Sequence, residues 1–268
     1  MRLQAFHMSP EHSPPSAPKN AARAGHQRPA RRWDKAGYVA LFIVLVLIAV
    51  QCASLGMAGL FVQTAQFEAD RSSAASRTPS MAEINRVAKY FSDSLEYASD
   101  NPWAVEGLGA LDLASMRASR IPREALAYTR AARVRFRQAL LQRPTSPYLW
   151  ANLALTKLYL DEIDGELLAA LKHADELGPW EPSVQQTTLF VGLAVWQDLD
   201  PGLRQALVRT IARGALRNGG KMFEIVKRYS RFDLICAIDQ YKAISAPDCR
   251  KAAGGAEPGE SVRQGYRP

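Results

Sequence analysis

Hydrophobic residues in this chain are concentrated in one uninterrupted block near the N-terminus. No charged residue occurs from Ala36 to Phe67, and Gly37–Val62 is almost entirely apolar. A helix needs ~20 apolar residues to cross the hydrocarbon core of a bilayer, so the block predicts one transmembrane helix, which we place at residues 36–62. The apolar run is far longer than that of a signal peptide, and we therefore expect an uncleaved anchor.

Beyond residue 80 the apolar positions recur with the spacing of helices, and no stretch alternates with the period of a strand. Proline near helix starts and glycine past helix ends divide this region into segments. The predicted helices are 81–98, 102–118, 122–142, 147–160, 163–177, 182–198, 201–217 and 220–229, with a last turn or two within 231–243. The pattern thus predicts an all-α domain with essentially no sheet.

Two neighbouring segments of this region carry the spacing of the TPR repeat, a 34-residue helical hairpin. One helix ends with the small and aromatic positions of that repeat, and the next helix opens with its Trp-x-x-Leu-small pattern. The matching residues are Ala132, Phe136, Ala139 and Pro144, followed by Trp150, Leu153 and Ala154. Small residues let two helices approach closely while aromatic rings fill the space beside them. The sequence therefore predicts an all-α protein in which one N-terminal transmembrane helix precedes a TPR-like stack of antiparallel helical hairpins.

The distribution of charged residues predicts the membrane topology. The net charge is +8, but the first 35 residues alone hold seven Lys or Arg against two acidic residues. Basic residues beside a span are retained in the cytoplasm, so we expect a cytoplasmic N-terminus in a bacterial inner membrane and a periplasmic main domain. No concentrated basic face remains for nucleic acid. The predicted divisions are a disordered cytoplasmic tail at 1–35, the span at 36–62, a tether at 63–80, the helical domain at 81–245 and a disordered tail at 246–268.

A search for chemistry finds no metalloprotease, serine hydrolase or Walker motif, so we expect no enzymatic activity, no cofactor and no metal site. Two features indicate contacts instead. Trp180 and Glu181 place an aromatic ring beside a carboxylate, a pairing typical of partner or glycan contacts. The Arg-rich stretch 117–143 could meet anionic lipid headgroups or an acidic polymer. The lone histidine of the domain, His173, is interpreted as a helix-surface residue.

The three cysteines are Cys52, Cys236 and Cys249. Cys52 lies inside the predicted span and is interpreted as a small membrane-buried residue. In an oxidising compartment Cys236 and Cys249 could form a disulfide across the short loop between them. The alternative is a buried thiol at Cys236 and an unrelated exposed one at Cys249.

Several segments also resemble a known family. The stretches 144–151, 177–185 and 192–196 are similar to the VpsP-type accessory proteins of exopolysaccharide biosynthesis, and to the TPR-like tails of some O-antigen polymerase and ligase-type proteins. The resemblance implies a scaffold that supports exopolysaccharide biosynthesis or export through contacts with a protein of that system. Two alternatives stay open. One is direct glycan binding or processing, and the other is an assembly factor for cytochrome maturation or secretion.

Overall fold

The computed structural model describes residues 35–74, 78–236 and 238 of the chain. Every regular element among these residues is helical, as predicted. The helices are α1 (Lys35–Ala74), α2 (Met81–Tyr97), α3 (Pro102–Ala118), α4 (Pro122–Gln142), α5 (Pro147–Tyr159), α6 (Gly165–Leu177), α7 (Pro182–Ala194) and α8 (Pro201–Arg228). Short 3₁₀ turns follow at Trp196–Asp198 and Phe232–Leu234. The chain divides into a unit of residues 1–48 and a unit of residues 49–268.

Most predicted helix bounds agree with the structure to within one residue. The helix expected at 163–177 begins at Gly165, because the Asp164 carboxylate caps it by accepting the backbone N–H groups of Glu166 and Leu167. The two helices expected at 201–217 and 220–229 are merged into α8, which is kinked at Asn218 rather than broken at the following glycines. The predicted tails at 1–35 and 246–268, apart from Lys35, lie outside the described residues.

Helices α3 to α8 form three hairpins in sequence: α3 with α4, α5 with α6, and α7 with α8. The second helix of each hairpin also packs on the first helix of the next, and α5 packs on α7. Helix α2 covers the outer side of the first hairpin by packing on α3. The predicted stack of helical hairpins is therefore the architecture of this domain.

The contact between α2 and α3 depends on the absence of a side chain at Gly107. A Cβ atom at Gly107 of α3 would lie 2.2 Å from the ring of Phe91 on α2. Glycine at this position lets the Phe91 ring lie directly on the α3 backbone, where it is buried with Ala104 and Leu108. The close approach fixes α2 against the first hairpin.

Helix α1 differs from its prediction at its C-terminal end. The segment 63–80 was expected to be a tether, but α1 continues as helix through Ala74. Residues Ala58, Val62 and Ala65 lie at helical spacing on one face of α1, and all three are buried against α2 and α3. The prediction of a tether was wrong for residues 63–74 because their polar composition concealed a narrow stripe of small buried residues.

The N-terminal part of α1 remains apolar and exposed. Among the described residues one helix, Lys35–Arg71, is long and apolar enough to span a membrane, with a mean hydropathy of 2.6 in its best window. Within the second unit, residues 49–57 contain no buried side chain. The change from an exposed apolar surface to a docked one therefore occurs at Ala58.

The repeat-like residues lie in the centre of the domain. Ala132, Phe136 and Ala139 of α4 are fully buried in one cluster with Leu153 and Ala154 of α5. Trp150 packs against the edge of the same cluster and donates its indole N–H to the Pro144 carbonyl. The residues identified from repeat spacing thus form the α4–α5 junction.

This junction predicts the effect of one substitution. Ala139→Phe places a ring where no space exists, and it should lower the free energy of unfolding by roughly 1–3 kcal/mol. Gln138→Phe introduces the same ring at the neighbouring exposed position and is the matched control. Chemical denaturation of both variants measures the difference, and equal stabilities would show that α4 does not meet α5 at Ala139.

Candidate partner-binding site

Three connections between helices, α2–α3, α4–α5 and α6–α7, lie at the same end of the stack. We call this end the entry end because α1 first contacts the domain there. The hydroxyl of Ser94, near the end of α2, donates to the Ala58 carbonyl of α1 at 2.9 Å. The α4–α5 connection is brought alongside by the Arg143 guanidinium, which lies 3.3 Å from the centre of the Trp103 ring at the start of α3.

The α6–α7 connection reaches the same end through a close backbone contact. A Cβ atom at Gly178 would lie 2.6 Å from the Cβ atom of Pro147, so only glycine lets this turn pack on the start of α5. Tyr148 then donates its hydroxyl hydrogen to the Glu181 carboxylate. This hydrogen bond, followed by burial, raises the pKa of Tyr148 to about 12, and the phenol therefore stays protonated at neutral pH.

The two residues predicted as a contact site lie together in this third connection. Trp180 is 53% exposed, and Glu181 is the residue that precedes the first turn of α7. The hydrogen bond from Tyr148 fixes the Glu181 side chain, while Trp180 has no described aromatic or cation–π partner within the domain. The site therefore offers an exposed indole beside an oriented carboxylate, together with the half-exposed ring of Tyr148.

The Arg-rich stretch 117–143 divides into two groups that differ in their contacts. Arg133, Arg135, Arg137 and Arg143 pair with Glu162, Asp112, Glu166 and Glu106 of neighbouring helices and connections. The other four arginines are exposed, and they lie in the last turn of α3, in the α3–α4 connection or on the first half of α4, toward the end opposite to the entry end: Arg117, Arg120, Arg123 and Arg130. The predicted lipid or polymer contact is thus restricted to this far cluster of four.

Sequence analysis missed the most buried charge of the domain. The Lys157 side chain is only 1% exposed, and its ammonium group donates to Glu162, Asp164 and Glu166 at 2.8–3.3 Å. Burial lowers the pKa of Lys157, but the three carboxylates outweigh it and the net pKa is raised. The signal was present in the sequence, because Lys157 replaces the usual Tyr of the repeat and four acidic residues follow it within nine positions.

The carboxylates of this cluster are stabilised in their ionised form. A hydrogen bond from Arg137, together with that from Lys157, lowers the pKa of Glu166 despite partial burial. The hydrogen bond from Lys157 likewise lowers the pKa of Asp164. These acidic residues therefore join α4, α5 and α6, and their partners explain why they cluster in the sequence.

The structure also describes the surroundings of His173 and of two of the three cysteines. His173 is exposed on α6 and its ring lies 4.7 Å from the ring of Trp150. In the part of the chain that the structure describes, no group of three His, Cys, Asp or Glu side chains could hold a metal ion. Cys236 is disulfide-bonded and Cys52 is free, while Cys249 lies outside the described residues. The pairing of Cys236 with Cys249 stays a prediction.

The whole chain matches no protein-family model, and no curated protein or solved structure is significantly similar to it. The resemblance to VpsP-type accessory proteins therefore stays a prediction that depends on the residues quoted above.

The Lys157 cluster predicts a pH-dependent stability. Lys157→Met keeps the length of the buried stem but removes the charge, and it should lower the free energy of unfolding by roughly 1–3 kcal/mol at pH 7, a modest cost because the carboxylates keep some contact with water. A carboxylate with a lowered pKa stabilises the fold above its ordinary pKa and loses that effect as the pH falls. The difference between variant and parent should thus shrink below about pH 4.

Lys172→Met is the matched control, because Lys172 is exposed and lies 3.9 Å from its nearest carboxylate, that of Glu176. Urea denaturation at several pH values measures all three proteins. A Lys157→Met variant that is as stable as the control at pH 7 would contradict the structural role of the cluster.

Proposed function

We propose that this chain is a membrane-anchored scaffold of the bacterial envelope that supports exopolysaccharide biosynthesis or export through contacts with another protein. In this proposal α1 spans the inner membrane, the N-terminus is cytoplasmic and the hairpin stack is periplasmic. The observation that carries the proposal is the exposed Trp180 beside the fixed Glu181 carboxylate, on a stack of hairpins that packing holds rigid. Stacked helical hairpins present extended surfaces that generally bind partners.

The ion pairs of the domain support a scaffold. Buried or half-buried charges are paired in ways that join neighbouring helices: Lys157 with its three carboxylates, Asp112 with Arg135, and Asp175 with Arg213. Such pairs position helices, and the paired groups have little freedom to move protons to or from a substrate. The exposed indole of Trp180 lies outside these ion pairs and can meet another molecule. A tryptophan at the centre of a contact often contributes a large share of the binding energy.

A second candidate function has its own observation. Glu181 accepts a hydrogen bond from Tyr148, and the aromatic ring of Trp180 is adjacent in the chain. Aromatic rings stack on the apolar faces of sugars while carboxylates accept hydrogen bonds from sugar hydroxyls. The same residues could therefore contact the polysaccharide directly. The two candidates differ in what lies against Trp180: a folded protein or a glycan chain.

Photo-cross-linking at residue 180 tests the proposal. A photoreactive phenylalanine derivative replaces Trp180 in the full chain, expressed in its native host, and the same residue replaces Leu126 as the control. Leu126 is exposed on α4 toward the opposite end of the stack. We expect a discrete protein adduct from position 180 alone, with mass spectrometry identifying a component of polysaccharide assembly or export.

A polydisperse adduct that a glycosidase removes would favour the glycan candidate and overturn the protein contact. Equal adducts from both positions, or none from position 180, would also overturn it. Trp180→Ala gives a second readout, since an exposed side chain contributes little to stability. Secreted polysaccharide should fall several-fold in this variant and stay unchanged in Leu126→Ala, with both proteins present in the membrane at the parent level.

A further inference from the structure

The entry end of the domain carries exposed aromatic residues where α1 joins it. Tyr97 is 45% exposed at the end of α2, and Trp103 is 51% exposed in the first turn of α3. The ring of Tyr97 stacks on that of Phe61 in α1, with centroids 5.7 Å apart and planes 23° apart. The Tyr97 ring therefore lies beside the part of α1 where the exposed apolar surface gives way to the docked one.

A continuous chain of hydrogen bonds links this part of α1 to the start of α3. The Ser94 hydroxyl donates to the Ala58 carbonyl, and the Asn101 side-chain amide donates to the Ser94 hydroxyl at 3.1 Å. The Asn101 amide oxygen in turn accepts the backbone N–H of Trp103 at 3.1 Å. The Ser94–Ala58 bond is buried and shielded from water, and the three bonds together tie the first turn of α3 to Ala58.

The length of the apolar run gives the position of Ala58 in a bilayer. About 20 residues fill the hydrocarbon core, and the run Gly37–Val62 exceeds this by several residues. If the core begins at Gly37, it ends just before Ala58. Ala58 and Phe61 then lie at the outer membrane–water interface, where tyrosine and tryptophan rings are enriched.

Charge at the entry end favours a neutral surface. The exposed charged residues nearest to Tyr97 in the sequence are Glu96 and Asp100, which are both acidic and would repel anionic headgroups. Arg143, which lies over one face of the Trp103 ring, is paired with Glu106. Attraction to the interface would therefore come from the aromatic rings and not from net charge.

We propose that the α2–α3 connection of the entry end rests on the outer surface of the membrane that α1 spans, with Tyr97 and Trp103 inserted among zwitterionic lipid headgroups. This contact is separate from the partner contact proposed at Trp180, although both require α1 to span the bilayer. The far arginine cluster then lies away from the lipid, by about the 25 Å length of α3.

Tryptophan quenching by lipid tests this placement. The full chain carrying Trp33→Phe and Trp180→Phe, which remove the tryptophan before the apolar run and the one in the α6–α7 connection, is placed as a single copy in phosphatidylcholine nanodiscs. Half of the samples contain phosphatidylcholine that is brominated near the top of its acyl chains. We expect clear quenching that is largely lost on adding Trp103→Phe and retained on adding Trp196→Phe, because Trp196 follows α7 at the opposite end of its hairpin.

A gain of quenching at a second position distinguishes loss of the lipid contact from misfolding of the Trp103→Phe variant. Tyr97→Trp, added to the Trp33→Phe, Trp180→Phe and Trp103→Phe background, should restore quenching by brominated lipid, whereas Leu126→Trp in the same background should not. Replacing part of the lipid by phosphatidylglycerol should not increase quenching, since the nearby charges are acidic. Quenching that is independent of Trp103, or absent at both Trp103 and Tyr97→Trp, would overturn the proposal whatever the partner of Trp180 proves to be.

Discussion

The rest of the structure depends on one buried hydroxyl. Ser94 is fully buried between α1, α2 and α3, and a buried hydroxyl without a hydrogen-bond partner would cost about 1–3 kcal/mol. The Ser94 hydroxyl has both partners, because it donates to the Ala58 carbonyl and accepts a hydrogen bond from the Asn101 side-chain amide. This sets the register of α1 against the domain, since a shift of one residue along α1 would remove the Ala58 carbonyl from reach. The stripe of Ala58, Val62 and Ala65 then packs on α2 and α3 in that same register.

The constraint extends through the stack by contacts between successive hairpins. Arg143 links the α4–α5 connection to Trp103 and Glu106, and Gly178 lets the α6–α7 connection pack on Pro147. Lys157 with its carboxylates joins α4, α5 and α6. These contacts hold the α6–α7 connection, and with it Trp180, in a fixed position on the stack of hairpins.

Local signals in the sequence predicted the helices well. Proline at the first position of five helices and capping residues such as Ser80 and Asp200 act over a few residues, so their effect can be predicted without tertiary information. The Ala–Phe–Ala spacing of α4 also identified the helix junction, because small residues mark where helices meet.

What the sequence could not predict was long-range pairing. The stretch after Val62 looked like a tether because polar residues surround Ala65, and only the folded domain shows that this residue is buried. The eight arginines of the stretch 117–143 looked like one basic surface, although four of them meet acidic residues 23 to 37 positions away. Trp180 was predicted to be exposed, but the hydrogen bond that orients Glu181 comes from Tyr148, 33 positions earlier.

The docking of α1 on the domain is tested most directly by hydrogen–deuterium exchange of residues 63–74 in the full chain in nanodiscs. Exchange there should be slow and comparable to that of α2. Ser94→Ala should accelerate it while leaving exchange in α5 unchanged. Exchange at the rate of an unstructured peptide in the parent protein would show that this segment is a free tether, and it would contradict the docking of α1 on α2 and α3.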